Sequence, residues 1–176
     1  MKVAFLDRDG VINKEVNYLH KIEDFEFTPN CISGLRRIIA HGYKIIIVTN
    51  QAGIAKGLYT IDEYIELTNW YTEKLLSFGI EILDVYFCPH HPEGITPEYS
   101  FDCRCRKPKP GMLELAAQKY SIDLEQSFIV GDKISDLEAG KAFGLSKAYL
   151  VETGHRIPAS GYENYQIYPD LLSIPL

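Results

Sequence analysis

Val3-Ala4-Phe5-Leu6-Asp7-Arg8-Asp9-Gly10 is the stretch on which the reading of this chain turns. Four apolar residues run without a polar break, as in a strand covered by helices on both faces, rather than alternating as in a half-solvated one. Gly10 lets the chain turn away, which leaves Asp7 and Asp9 at the carboxyl end of the strand. In open α/β sheets, ligands bind beyond that edge. Two carboxylates one residue apart repel, so a divalent cation or a proton is implied near them. An isolated pair of this kind is usually an acidic turn. Its meaning depends on what else reaches the same edge.

Working outward, residues 11–29 lack a clear period and read as a loop over the strand edge, and Ile32, Leu35, Ile38 and Ile39 mark a helix over Cys31–His41 that Gly42 stops. Tyr43–Val48 is a second buried strand with the polar tip Thr49-Asn50-Gln51. Gln51–Tyr59 reads as a loop. A capping box, Thr60 with Glu63, opens a helix whose stripe is Ile61, Tyr64, Ile65, Thr68, Tyr71, Leu75 and Phe78. Ile82–Cys88 is a third strand, followed to Pro110 by five prolines and almost no core-forming residues. Pro110-Gly111 opens another helix, with Met112, Leu113, Leu115, Ala116 and Tyr120 as its contacts. Ser127–Val130 is a fourth strand ending in Gly131-Asp132-Lys133. A second capping box, Ser135 with Glu138, leads a helix through Phe143, and Ala148–Val151 is a fifth strand. No role is assigned from Gly154 onward. Alternating strands and helices predict an α/β fold, a three-layer Rossmann-like parallel sheet with helices on both faces, in which the three polar tips converge.

The 176 residues suit one domain, 1–176. A net charge of −6 argues against the basic face that nucleic acid requires, and no apolar run is long enough to span a membrane. With Met1-Lys2 leading straight into the first strand, a cytoplasmic monomer is expected. Four cysteines in such a chain are then unlike disulfides. Cys31, at a helix start, reads as a structural thiol.

The convergent groups suit phosphoryl transfer, in which a phosphate's charge must be neutralised before a carboxylate can attack. Asp7 would be the nucleophile and form an aspartyl phosphate. Asp9 would protonate the leaving oxygen and then activate water. Mg²⁺ would be bound by Asp7, the Asp9 carbonyl and Asp132, with Thr49 and Lys107 on the phosphoryl oxygens. A second anionic group on the substrate would account for the surplus cations Arg106, Lys56 and Lys133. Cys88, Cys103 and Cys105 with His90 or His91 offer a tetrahedral zinc set around a loop, about 88–110, that needs a staple.

Leu6-Asp7-Arg8-Asp9-Gly10, Val48-Thr49-Asn50-Gln51, Arg106-Lys107-Pro108 and Val130-Gly131-Asp132 resemble, in order, the motifs of the haloacid dehalogenase-like phosphatases. With Gly53-Ile54-Ala55-Lys56-Gly57 and the cysteine loop, the chain is similar to the D-glycero-D-manno-heptose 1,7-bisphosphate 7-phosphatase family, and next to the histidinol-phosphate phosphatases. The resemblance implies a capless, Mg²⁺-dependent enzyme of ADP/GDP-heptose precursor biosynthesis, with His90 completing a structural zinc site. It further implies a small sugar phosphate held by Glu15, Val16, Asn17, Tyr18, Thr49, Asn50, Gln51, Ala52, Arg106, Lys107 and Lys133. Ala52 stands where the family commonly has serine. Lys133 stands where many members have a second acid, which makes capping or outer support the expected role of Asp136. A phospho-accepting receiver-like signalling domain is the competing class, since it also gathers acids, a threonine and a lysine at a sheet edge.

Overall fold

Val3 to Leu6 are wholly buried, and the computed structural model, which describes residues 1–158 and 160–176, accounts for this by placing them at the centre of a sheet. The described strands are β1 (Val3–Leu6), β2 (Lys44–Asn50), β3 (Ile82–Cys88), β4 (Phe128–Gly131), β5 (Lys147–Val151) and β6 (Ile167–Tyr168). Their order is β3-β2-β1-β4-β5-β6, and every neighbouring pair is parallel. The helices are α1 (Cys31–Ala40), α2 (Ala52–Ala55), α3 (Ile61–Ser77), α4 (Gly111–Lys119) and α5 (Ile134–Phe143).

Alternate strand residues feed two cores. Ala4, Leu6, Ile45 and Ile47 join Leu35 and Ile38 of α1 and Leu67, Tyr71 and Leu75 of α3. Val3, Phe5, Ile46 and Val48 join Met112, Leu113 and Ala116 of α4 and Ala139 of α5. Both faces are therefore covered, which is why the strands read as unbroken apolar runs. Strand order reverses between β1 and β4, and the crossovers leave in opposite directions there. A crevice opens at their carboxyl ends.

The structure departs from the sequence reading in several places. Gln51–Tyr59 is not wholly loop, because α2 forms within it. Ile65 and Leu115 are 44% and 47% exposed, so neither belongs to its helix's buried stripe. Leu67, uncounted in the stripe, is buried in α3 instead. The capping box at α3 is present, with Thr60 N–H donating to Glu63 Oε2 at 2.7 Å and Glu63 N–H to Thr60 Oγ1 at 3.2 Å. The predicted Ser135–Glu138 box is not formed. α5 starts at Ile134, which puts Ser135 inside its first turn, and Asp136 Oδ2 accepts the Lys133 N–H at 3.1 Å in its place. Cys31 is buried and its thiol is pushed up to about 12 by desolvation, as befits an inert packing residue.

The C-terminal stretch, given no role above, closes the fold. β6 adds to β5, and Leu171 and Ile174 are buried against α1. Arg37 Nη1 donates to the carbonyls of Leu172 and Ile174 at 3.1 and 2.6 Å. Gly34 of α1 permits this approach, since a Cβ there would lie 2.9 Å from the Leu171–Leu172 backbone.

Candidate active site

Asp7 follows β1 without leaving the sheet, its N–H donating to Val130 O of β4 at 3.0 Å. Its carboxylate is thereby held at the reversal point. Asp132, directly after β4, approaches from the other side. The approach is so close that a Cβ on Gly10 or Gly154 would lie 2.3 or 2.1 Å from Asp132 Oδ2. Glycine is required at both, and at Gly10 also by its φ of +85°.

Lys107, from the loop before α4, reaches the same point and is buried. Its Nζ contacts Asp7 Oδ1 at 3.0 Å, Asp136 Oδ1 at 2.6 Å and Val48 O at 2.7 Å. Asn50 holds the lysine backbone, its Oδ1 accepting the Lys107 N–H at 3.0 Å and its Nδ2 donating to Lys107 O at 3.1 Å. Burial alone would lower the ammonium's pKa, but Asp136 and Asp7 outweigh it and raise it. Asp7 is pushed up to about 6 by desolvation and by Asp136, with Lys107 opposing. Asp132 is raised by desolvation and by Asp7, while bonds from His155 pull the other way.

These shifts describe a site short of positive charge. Asp7, Asp132 and Asp136 bring carboxylate oxygens within 4.8 Å of one another. Asp132 Oδ1 is buried without a hydrogen-bond partner among the described residues. Both Asp136 oxygens, by contrast, are taken up by Lys107 and Lys133. Asp7 and Asp132 thus fit a hard divalent cation, while Asp136 is engaged by the two lysines.

Asp9 accepts at both oxygens: Oδ1 from Arg8 Nη2 at 2.8 Å and Asn13 Nδ2 at 3.0 Å, Oδ2 from Gln51 Nε2 at 3.1 Å. Thr49 is fully buried, and its Oγ1 accepts from Gln51 Nε2 at 2.8 Å. Gln51 Oε1 accepts from Tyr59 Oη, so this amide braces the site from within.

The residues open onto a cavity of about 440 Å³, of a size suited to a small molecule. Glu15, Asn17, Tyr18, Asn50, Gln51, Ala52, Arg106, Lys107 and Lys133 line it, as do Asp7 and Asp9. Val16 and Thr49 do not: Val16 faces solvent and Thr49 lies beneath the floor. One end is cationic. Lys56 Nζ donates to Tyr18 Oη at 2.8 Å, His91 is lowered by desolvation and by Arg106 and Lys56, and Arg106 Nη1 is buried without a partner among the described residues. Tyr18 holds a left-handed φ of 57°, backbone strain at the cavity rim. His155 also lines the cavity. Nothing along the chain points to it, because a lone histidine in an aperiodic stretch carries no motif.

Cys88, His90, Cys103 and Cys105 cluster, with sulfurs 3.2–3.4 Å apart and His90 Nδ1 3.2 Å from Cys105 Sγ. Ligands around a tetrahedral zinc lie about 3.8 Å apart at Zn–S of about 2.3 Å, so a slight opening of the cluster admits the ion. His91 stands outside this cluster, its Nδ1 accepting the Glu93 N–H at 3.0 Å. Hydrogen bonds, that from Cys88 foremost, draw the Cys105 thiol downward against its burial. Arg106 N–H donates to Cys103 Sγ at 3.3 Å, which ties the cluster to the neighbour of Lys107.

A HAD-hydrolase-like family model matches residues 104–173. The D-glycero-α-D-manno-heptose-1,7-bisphosphate 7-phosphatase of Photorhabdus laumondii is 61% identical over 155 residues, 88% of this chain and 85% of the relative. The chain belongs to the D-glycero-D-manno-heptose-1,7-bisphosphate 7-phosphatase family. A second enzyme of this family from the same organism, named for the β anomer, is 41% identical over 151 residues, 86% of this chain and 80% of the relative. The fold matches a D,D-heptose 1,7-bisphosphate phosphatase from B. bronchiseptica complexed with magnesium and phosphate, with a TM-score of 0.81 at 28% identity, covering 98% of this chain and 95% of the other. Membership of the heptose bisphosphate phosphatase family makes the chain a phosphoric monoester hydrolase with a haloacid dehalogenase-like fold, and the receiver-like reading gives way. No helix among the described residues is long and apolar enough to cross a membrane.

Proposed function

We propose that this chain removes the 7-phosphate of D-glycero-α-D-manno-heptose 1,7-bisphosphate by way of an aspartyl phosphate on Asp7. The observation that carries the choice of anomer is the 61% identity to the α-named enzyme of one organism against 41% to its β-named counterpart. That both relatives are heptose enzymes also weighs against histidinol phosphate.

In this reading Asp7 attacks the 7-phosphorus, forming an O–P bond as the bond from phosphorus to the sugar oxygen breaks. Asp9 exchanges one of its present donors for that oxygen and gives it a proton, then takes a proton from the water that cleaves the acyl phosphate and releases inorganic phosphate. Lys107 holds a phosphoryl oxygen, and Thr49, beneath the floor, braces the site through its bond to Gln51. Asp7, the Asp9 carbonyl and Asp132 would hold Mg²⁺, which when bound supplies the missing positive charge. The 1-phosphate suits the cationic end, where Arg106 has an unused buried donor and Lys56 stands nearby. Glu15, Asn17, Tyr18, Asn50, Gln51, Ala52 and Lys133 shape the sugar pocket. Cys88, His90, Cys103 and Cys105 hold a structural zinc. The enzyme would work as a cytoplasmic monomer on the route to nucleotide-activated heptose.

A panel of the two heptose 1,7-bisphosphate anomers and histidinol phosphate, assayed for phosphate release with and without Mg²⁺, tests this. The α anomer is expected to exceed both others at least about tenfold in kcat/KM, a difference near 1.4 kcal/mol in transition-state binding. A preference for the β anomer or for histidinol phosphate overturns it.

A further inference from the structure

We infer that His155 is a positioning residue that orients the Asp132 carboxylate for a divalent cation. The inference rests on the phosphatase reading above and concerns a residue outside every motif. Asp132 Oδ2 accepts twice from His155, from the backbone N–H at 2.9 Å and from ring Nδ1 at 2.6 Å. The other oxygen, Oδ1, is buried and unpartnered among the described residues. A carboxylate pinned at one oxygen by two donors has lost its freedom to rotate, and the lone pairs of the other are presented in one direction. Groups that hold a ligating carboxylate in this way commonly change metal affinity by about 10–100-fold.

The surrounding backbone is built to bring the imidazole there. Thr153 Oγ1 donates to Gly10 O at 2.7 Å, which ties the segment after β5 to the turn after β1. Gly154 then passes so close to Asp132 that no side chain fits. His155 follows, and its side chain is 41% exposed toward the cavity, with the Glu15 carboxylate near enough to share a cluster with it and Asp132.

His155→Ala and His155→Asn separate this role from packing, because asparagine can place an amide N–H where Nδ1 stands. Mg²⁺ affinity is measured by calorimetry on the intact protein without substrate, alongside the thermal unfolding of the metal-free forms. His155→Ala is expected to weaken Mg²⁺ binding about tenfold or more while the metal-free Tm stays within about 2 °C, and His155→Asn to recover most of the affinity. In turnover the alanine variant should need correspondingly more Mg²⁺ and regain near-native kcat when Mg²⁺ saturates. Unchanged Mg²⁺ affinity in His155→Ala overturns the inference, as does an asparagine variant no better than alanine. The binding measurement uses no sugar phosphate, so an error in the substrate assignment leaves it untouched.

Discussion

Asp7 occupies an environment that disfavours its own charge. Burial and the neighbouring Asp136 outweigh the help from Lys107 and raise its folded pKa to about 6, from 3.8. For a raised carboxyl the sign is opposite to that of an ordinary salt-bridged one. The folded state binds the extra proton between these values, so the contribution is stabilising at low pH and is lost as pH rises through about 6. The metal-free Asp7→Asn protein should therefore be more stable than the wild type at pH 7, by about 1–3 kcal/mol after allowing for the lost contact to Lys107, and the gap should close toward pH 4. Denaturant unfolding at the two pH values measures this. The same variant should show phosphate release reduced by at least about 10³-fold, and native turnover in it would remove the nucleophile from the mechanism.

At the scale of elements, the proposed zinc would staple the cysteine loop to the body. None of residues 89–104 is fully buried, and their ties to the body include the N–H groups of Ile95 and Thr96 donating to Ala55 O at 2.8 and 3.0 Å. About one zinc per chain is expected by elemental analysis. Cys105→Ser should lose it, become cut by protease within residues 92–101, and drop in kcat because Arg106 hangs on Cys103. Far-ultraviolet circular dichroism should stay near native, since the sheet has its own two cores. A variant that retains full activity without zinc would show that the loop does not set Lys107. The strands and the four clustered ligands were legible in the sequence because each is a local signal: an unbroken apolar run, a capping pair, cysteines flanking a proline-rich stretch. α2 was not, because four residues are too few to show a period. The exposed faces of Ile65 and Leu115 were missed because an apolar residue at helical spacing looks the same whether or not a neighbour covers it. The His155–Asp132 and Gln51–Asp9 bonds depend on where distant loops come together, which spacing along the chain does not encode.

Over the whole molecule, the last residues are a strap across α1 and the sheet edge. Leu171 and Ile174 are buried, and burying two aliphatic side chains is worth about 3–6 kcal/mol. Removal of 167–176 also strips β6 and the carbonyls that Arg37 holds. Against a typical total of about 5–15 kcal/mol, this deletion should leave a protein with its Tm lowered by more than about 10 °C, or one that fails to fold. A truncated form that melts with the full chain would show the strap to be ornamental.

An ammonium carries three hydrogens, and in the resting protein all three of Lys107's already have acceptors: Asp7, Asp136 and the carbonyl of Val48. A phosphate arriving as proposed would trade places with a tenant, and the grip it gained would be the difference between two bonds rather than the whole of one. When inorganic phosphate departed, the vacated hydrogen would fall back to the Asp7 carboxylate, 3.0 Å away at rest, so the molecule would carry within itself the rival that helps expel its own product.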